Sequence, residues 1–185
     1  FRRTPLLCWR PDMRASLNLF RRLLRWRWNR RLVALCCALV MPAALAIDAG
    51  ESAPDFTLAS AEGRPLQLAA FRGKLVYLDF WASWCAPCRR SFPWMNAMQE
   101  KYRPAGLVVL GVNVDQRRSD ADRFLAQVPA KFAIAYDPQG TVPKLYAIQG
   151  MPSSVLIDRE GRVLLVQAGF RDEERDGLEA KIRAA

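Results

Sequence analysis

The chain has 185 residues, no histidine and a formal net charge of +10. Ten arginines and a single acidic residue lie in residues 1–46, so residues 47–185 carry a net charge of only +1. The second part therefore lacks the basic surface that nucleic-acid binding requires, and the absence of histidine excludes every catalytic arrangement built on an imidazole.

Residues 1–46 have the layout of a secretory leader. A cationic stretch, Arg21–Arg31, precedes an uncharged apolar run that ends in Ala44-Leu45-Ala46. The two alanines supply the small residues that signal peptidase requires, and the run is shorter than the roughly 20 residues that span a bilayer. We expect cleavage after Ala46 and export to the periplasm. The alternative is an uncleaved N-terminal anchor in the inner membrane.

Residues 47–185 alternate between strand-like and helix-like patterns and predict one domain. A short hairpin at 56–58 and 65–68 comes first, and further strands are expected at 75–81, 107–114, 131–136, 155–157 and 163–168. Helices are expected at 87–102, 119–128 (with Ser119 as the cap), 141–146 and 171–183. This order predicts an α/β fold, in which a mixed central sheet is flanked by helices and extended by an N-terminal β-hairpin.

The domain contains two cysteines, Cys85 and Cys88, where a buried strand ends and a helix begins. Such a pair is either redox-active or half of a metal site. No histidine and no second cysteine pair is available to complete a zinc shell. The sequence therefore predicts a redox pair without a metal.

The position of Cys85 at a helix N-terminus favours a thiolate over a thiol. Cys85 is therefore predicted to be the attacking sulfur, and Cys88, one turn further on, to resolve the mixed disulfide. Pro87 suits the first helical turn but has no N–H to offer to Cys85. Because neither middle residue is cationic, we expect a low reduction potential and a role as a dithiol donor.

Three separated segments resemble a known family. Residues 78–88 (LDFWASWCAPC) resemble the active-site strand and turn of thioredoxins. Residues 50–58 (GESAPDFTL) and 71–74 (FRGK) resemble the periplasmic TlpA/ResA-like branch, whose opening is shared with redoxin and AhpC/TSA-like proteins. The resemblance covers about residues 50–183 and implies a thioredoxin-like fold and a thiol–disulfide oxidoreductase.

Residue by residue, the resemblance implies that Cys85 and Cys88 form the redox-active disulfide and that no cofactor is needed. Pro152 matches the cis-proline of the family, and the backbone of Met151 would bind an extended substrate segment. Pro93 matches a proline that kinks the active-site helix. The implied substrate-binding residues are Trp84, Pro87, Met151 and Pro152.

Asp79 matches the buried carboxylate that accepts the proton of the resolving thiol. A buried carboxyl without a partner should have a raised pKa, as a general base near neutrality needs. The alternative is an aspartate that only satisfies local N–H groups. The lysine that accompanies this carboxylate in thioredoxin falls at Gly111, so the cation is missing.

Several apolar residues near the cysteines could form either a binding groove or the core. We expect Trp81, Phe92 and Met95 to be core residues and Trp94 to be exposed near the site. Arg89 and Arg90 are expected to lie on a solvated helix face.

The resemblance implies a monomer that reduces protein disulfides and is itself reduced by a membrane electron donor. Cytochrome c maturation is one such role, although Ser153-Ser154 stand where that branch carries a glutamate. A peroxidase is an alternative, but Ala82 replaces the Thr or Ser that peroxidases place before the attacking cysteine. A metallochaperone or a binding module is a third reading, and it lacks the expected histidine.

Overall fold

The computed structural model describes residues 47–185. The predicted leader, residues 1–46, lies outside the described residues. Within residues 47–185, no helix combines the length and the apolar character that crossing a membrane requires.

Seven strands form one mixed sheet in the order β2-β1-β5-β4-β3-β6-β7. The pairs β3–β4 and β4–β5 are parallel, and the other pairs are antiparallel. The strands are β1 (Thr57–Ser60), β2 (Pro65–Gln67), β3 (Leu75–Trp81), β4 (Leu107–Asn113), β5 (Ala133–Tyr136), β6 (Ser153–Ile157) and β7 (Val163–Ala168).

The central strand β3 is buried along its whole length. It pairs with β4 on one side and β6 on the other. Leu75, Tyr77 and Trp81 contribute to the core on one face of the sheet. Val76, Leu78 and Phe80 contribute to the core on the other face. A strand covered on both faces needs apolar residues throughout, which explains the nearly continuous run in the sequence.

Four α-helices cover the sheet: α1 (Cys88–Tyr102), α2 (Arg118–Gln127), α3 (Thr141–Leu145) and α4 (Arg175–Ala184). Short 3₁₀ turns occur at Leu68–Phe71, Arg103–Ala105 and Asp172–Glu174. Side chains of α1, α2 and α4 pack on one face of the sheet, and those of α3 pack on the other. The predicted fold class, a mixed sheet flanked by helices, is confirmed.

The predicted N-terminal hairpin lies at one end of the sheet. Strand β1 pairs antiparallel with β2 and also with β5, through Ala59 opposite Tyr136. The turn includes Gly63 at φ 74°, a conformation that glycine adopts without strain. The hairpin therefore extends the sheet on the side away from β6 and β7.

The predicted cap of α2 is wrong. The helix begins one residue earlier than expected, at Arg118, and its N-cap residue is Arg117, with no side-chain cap hydrogen bond. Asp120 in the first turn accepts a hydrogen bond from Arg117 Nε at 3.0 Å. A carboxylate in the first turn interacts favourably with the helix dipole, so this helix start does not depend on the hydroxyl of Ser119.

Candidate active site

The two cysteines lie at the junction between β3 and α1, and residues 82–87 form what we call the redox turn. Cys85 and Cys88 are joined by a disulfide, with their Cα atoms 5.4 Å apart. Cys85 retains 3% of its surface and Cys88 none. The N–H of Cys85 donates to the carbonyl of Ala82 at 3.1 Å, which closes the turn. The sulfur pair is therefore held just beneath the surface.

Few backbone N–H groups donate hydrogen bonds to the sulfur of Cys85. Helix α1 begins at Cys88, with Pro87 as its N-cap residue at φ −63°. The N–H of Cys88 donates to Cys85 Sγ at 3.3 Å. Among residues 47–185, no second backbone N–H donates to this sulfur. Pro87 has no N–H of its own, so stabilisation of a thiolate at Cys85 rests on one amide and the helix dipole.

Asp79 lies in the middle of β3, opposite Gly111 on β4 and Ser154 on β6. It is only 2% exposed, and its Oδ2 has no hydrogen-bond partner. Burial raises the pKa of this carboxyl well above its usual range. It also contributes to raising the pKa of buried Tyr77, after the larger effect of burial itself. No local N–H bonds to Asp79 Oδ2, so the alternative of a purely structural acceptor finds no support at that atom.

Gly111 is the position at which the thioredoxin lysine is missing. A Cβ at this residue would lie 3.1 Å from Trp81 Nε1 and 3.0 Å from Ile134 Cδ1. The indole of Trp81 therefore occupies the space that a side chain would take. Gly111 supplies no cation to Asp79, and any side chain at this position would crowd the indole of Trp81.

The loop before β6 contains the two residues that the resemblance places beside the cysteines. The Met151–Pro152 peptide bond is cis, as the resemblance implied. Pro152 is buried, and its carbonyl accepts a hydrogen bond from the N–H of Gly169 at 2.8 Å. Met151 is partly buried and packs against the core that contains both cysteines. Among residues 47–185, neither the N–H nor the carbonyl of Met151 forms a hydrogen bond, so both are free for another chain.

Trp84 and Pro87 flank the disulfide on the outer side. Trp84 is 69% exposed, and Pro87 is partly exposed. Two large exposed or half-exposed side chains beside a nearly buried disulfide form a surface that a protein substrate can contact.

The expectation that Trp94 is exposed is wrong. It retains 8% of its surface and packs against Tyr77 and Phe170, at ring-centroid distances of 5.5 and 5.6 Å. Trp81, Phe92 and Met95 are fully buried, as predicted. The aromatic residues of this region therefore pack together in the core. The ring centroid of Trp81 lies 4.9 Å from the ring centroids of both Phe92 and Phe124. Arg89 and Arg90 are exposed, as predicted.

One feature of the site was not predicted. Asp115 follows the end of β4 and accepts two hydrogen bonds from Ser83 of the redox turn. The sequence signal is a pair of polar residues, Asn113 and Asp115, directly at the carboxyl end of a buried strand. In the part of the chain that the structure describes, no group of three or more His, Cys, Asp or Glu residues could hold a metal ion.

Comparison with known proteins places this geometry in a family. Residues 48–182 match the family model described as redoxin. The chain belongs to the redoxin family. The thiol-disulfide oxidoreductase ResA of Bacillus thuringiensis subsp. konkukian is 33% identical to this redoxin over 129 residues, which cover 70% of this chain and 75% of the relative. ResA of Geobacillus thermodenitrificans is 36% identical over 129 residues, covering 70% and 74%.

A solved structure is similar to this redoxin at a higher level of identity. A crystal structure assigned as a thiol:disulfide interchange protein DsbE from Chlorobium tepidum matches with a TM-score of 0.74 and 53% identity, over 75% of this chain and 98% of that one. The thioredoxin-like fold and the Cys85–Cys88 disulfide agree with these matches. This redoxin is therefore a thiol–disulfide oxidoreductase.

Proposed function

We propose that this redoxin donates electrons to disulfides of exported proteins through Cys85 and Cys88. The observation that carries the proposal is the asymmetry of the pair. Cys85 precedes α1 and retains a small exposed surface, whereas Cys88 is the first residue of the helix and has none. A client sulfur can approach Cys85 alone, which makes Cys85 the attacking residue and Cys88 the resolving one.

The reaction proceeds in two exchanges and transfers two electrons. The Cys85 thiolate attacks one sulfur of the client disulfide, forms a mixed disulfide and releases the first client thiolate. The Cys88 thiolate then attacks Cys85 Sγ, which closes the Cys85–Cys88 disulfide and releases the second client thiolate. At the end of the reaction the protein contains the Cys85–Cys88 disulfide and the client is a dithiol. A second dithiol must then reduce the protein again.

Asp79 is the group that accepts the proton of Cys88 in the second exchange. It lies on the same face of β3 as Trp81 and Tyr77, whose side chains belong to the core that contains both cysteines. Its raised pKa brings proton exchange closer to neutral pH than an ordinary carboxyl allows. No neighbouring cation opposes protonation, since Gly111 replaces the lysine.

The client binds as an extended segment against the cis-proline loop. The free N–H and carbonyl of Met151 would pair with its backbone, while Pro152 and Pro87 shape the approach to Cys85. Trp84 offers an exposed aromatic surface beside the attacking sulfur. In this mode of binding, hydrogen bonds to the client backbone matter more than contacts with client side chains. Clients of different sequence can therefore bind.

The direction of electron flow follows from the weak stabilisation of the thiolate. In strongly oxidising thiol–disulfide oxidoreductases, a cysteine with a very low pKa stabilises the reduced form. Here one amide reaches Cys85 Sγ, and the two middle residues, Ala86 and Pro87, carry no charge. The disulfide is therefore hard to reduce, and the reduced protein is a donor.

The periplasm is the proposed compartment, with a membrane electron carrier as the source of electrons and a monomer as the working unit. The leader-like residues 1–46 and the ResA and DsbE relatives support this assignment. Cytochrome c maturation is one candidate client pathway. Buried Ser153 and Ser154, which bond to Gly150 and Tyr77, stand where that branch carries a glutamate, and this departure counts against it.

Thiol trapping with matched serine variants tests the proposal. The Cys88→Ser variant should accumulate a mixed disulfide with a model client such as insulin, and the Cys85→Ser variant should not. Equilibration of the wild-type pair against glutathione should give a potential close to the roughly −270 mV of thioredoxin. Trapping through Cys88, or unchanged insulin reduction by Cys85→Ser, would overturn the assignment. A value close to about −120 mV would reverse the direction.

A further inference from the structure

The segment that ends β4 is joined to the redox turn. Asn113 and Asp115 are buried, with 0% and 6% of their surfaces exposed. Asn113 Nδ2 donates to Asp115 Oδ2 at 2.8 Å, and the N–H of Asp115 donates to Asn113 Oδ1 at 3.1 Å. This pair of bonds fixes the carboxylate of Asp115 relative to the end of the strand.

Asp115 in turn holds Ser83, two residues before Cys85. The N–H of Ser83 donates to Asp115 Oδ2 and its hydroxyl to Oδ1, both at 2.9 Å. The N–H of Val114 donates to the carbonyl of Trp81 at 3.0 Å. The end of β3 and the start of the redox turn are therefore attached, at two points, to the segment that follows β4.

The charge of this anchor is unusual. A buried carboxylate costs more free energy than a buried amide unless it is paired with a cation. No ion pair among residues 47–185 includes Asp115, and all three of its donors are neutral. An asparagine could make the same contacts, because the hydroxyl of Ser83 can rotate and accept from the amide. Holding the turn does not by itself require a charge.

Along the chain, the charged or titratable residues nearest to Cys85, apart from Cys88, are Asp79, Arg89 and Arg90. Asp79 lies beneath the site on β3, and Arg89 and Arg90 follow Cys88 on α1. Arg89 is directed towards α2, where it bonds to Gln127 and lies over the ring of Phe124. The cis-proline loop, residues 147–153, carries no charged side chain. Asp115 is thus an acidic side chain attached directly to the redox turn.

We propose that Asp115 is a positioning residue of the redox site, which anchors the turn through Ser83 and opposes ionisation of the Cys85 thiol by its negative charge. The inference rests on the proposed role of Cys85 as the attacking sulfur. Since a less acidic thiol destabilises the reduced form, the charge keeps the potential low and the protein a donor.

Two variants separate the charge from the contact. Asp115→Asn removes the charge and can keep every hydrogen bond, whereas Ser83→Ala keeps the charge and removes one hydrogen bond. Glu160→Gln is the control for charge alone, because Glu160 is exposed in the turn between β6 and β7, at the opposite end of β3. The measurements are the thiolate absorbance of the reduced protein against pH and the midpoint against glutathione.

For Asp115→Asn we expect a lower pKa of the Cys85 thiol, a less negative midpoint and about threefold faster alkylation at pH 6. Ser83→Ala should be less stable, with a nearly unchanged titration, and Glu160→Gln should match the wild type. An unchanged titration of Asp115→Asn, or an equal shift in Ser83→Ala, would overturn the inference. These titrations are distinct from the trapping test, so the proposed function can fail while the role of Asp115 is still decided.

Discussion

The indole Nε1 of Trp81 lies 3.1 Å from the point where any side chain at residue 111 would place its Cβ. Gly111 is directly opposite Asp79 in the parallel pair β3–β4. A side chain at residue 111, beside Asp79, would therefore have to displace this ring. The packing of Trp81 over Gly111 therefore bears on the charges that can lie next to the Asp79 carboxyl.

Substitution of Gly111 should reveal this crowding. In Gly111→Ala the new Cβ meets Trp81, Ile134 and Phe132 at 3.0 to 3.1 Å, and we expect a loss of about 1–3 kcal/mol in the free energy of unfolding. Gly177 in α4 is the matched control, since a Cβ there has nothing within 4 Å. Gly177→Ala should gain about 0.5–1 kcal/mol from helix propensity. Urea unfolding of the oxidised proteins measures both, and equal effects would contradict the packing argument.

The pH dependence of stability should report the burial of Asp79. Burial raises its folded pKa above the ordinary 3.8, so the folded protein binds the proton more tightly than the unfolded chain. The stability from this group is complete below about pH 3.8 and falls as the pH rises towards the folded pKa, by about 1.4 kcal/mol per pH unit of that window. Asp79→Asn should therefore be more stable than the wild type at pH 7, and the gain should vanish near pH 4.

Asp55 provides a control of opposite sign for that experiment. Slight burial acts to raise its pKa, but hydrogen bonds from Gln67 and from the N–H of Ala69 outweigh burial and lower it. Its contribution to stability is present above pH 3.8 and is lost in acid. Asp55→Asn should cost stability at pH 7 and less at low pH. The same pH trend in both variants would contradict the assignment for Asp79.

The hydrogen bond between Tyr77 and Ser154 should show strong coupling. The Tyr77 hydroxyl donates to Ser154 Oγ at 2.8 Å, and both residues are buried. Tyr77→Phe or Ser154→Ala leaves one buried hydroxyl unpaired, at a cost of about 1–3 kcal/mol each. The double variant should cost less than the sum, as measured by a double-mutant cycle in urea. Strictly additive losses would show that the bond contributes nothing.

Removal of the exposed aromatic beside Cys85 should affect clients and spare the fold. Trp84 is 69% exposed, so Trp84→Ala should change the free energy of unfolding by less than about 0.5 kcal/mol. Reduction of a protein disulfide should slow by about tenfold in kcat/KM, since exposed aromatics often anchor partners. Exchange with glutathione disulfide, which is too small to use that surface, serves as the control. An equal loss on both substrates would point to damage at Cys85 itself.

The elements with a strong local pattern could be predicted from the sequence. Strand β3 has the expected bounds because a strand buried on both faces leaves an uninterrupted apolar run. The hairpin of β1 and β2 and the antiparallel pair β6–β7 were also predicted, since turn residues separate their strands. The redox pair was predicted because its cysteines lie between such a strand and the start of a helix.

The wrong or missing predictions at the site concern contacts between residues that are distant in the sequence. The sequence predicted that Trp94 is exposed. Its ring instead packs against Tyr77 from β3 and Phe170 from the segment before α4. The bond between Asp115 and Ser83 joins residues 32 positions apart. The space denied to a side chain at Gly111 likewise depends on ring orientation. Local patterns carry no information about such contacts until the topology is known.

The complete burial of Cys88 has a kinetic consequence. With Cys85 as the proposed attacking sulfur, a client and the reductant that restores the protein share one point of attachment, so the two cannot be engaged at once. The protein is expected to work by a ping-pong scheme, in which each partner departs before the other arrives. Two electrons would thus enter and leave the protein through the same sulfur atom, that of Cys85.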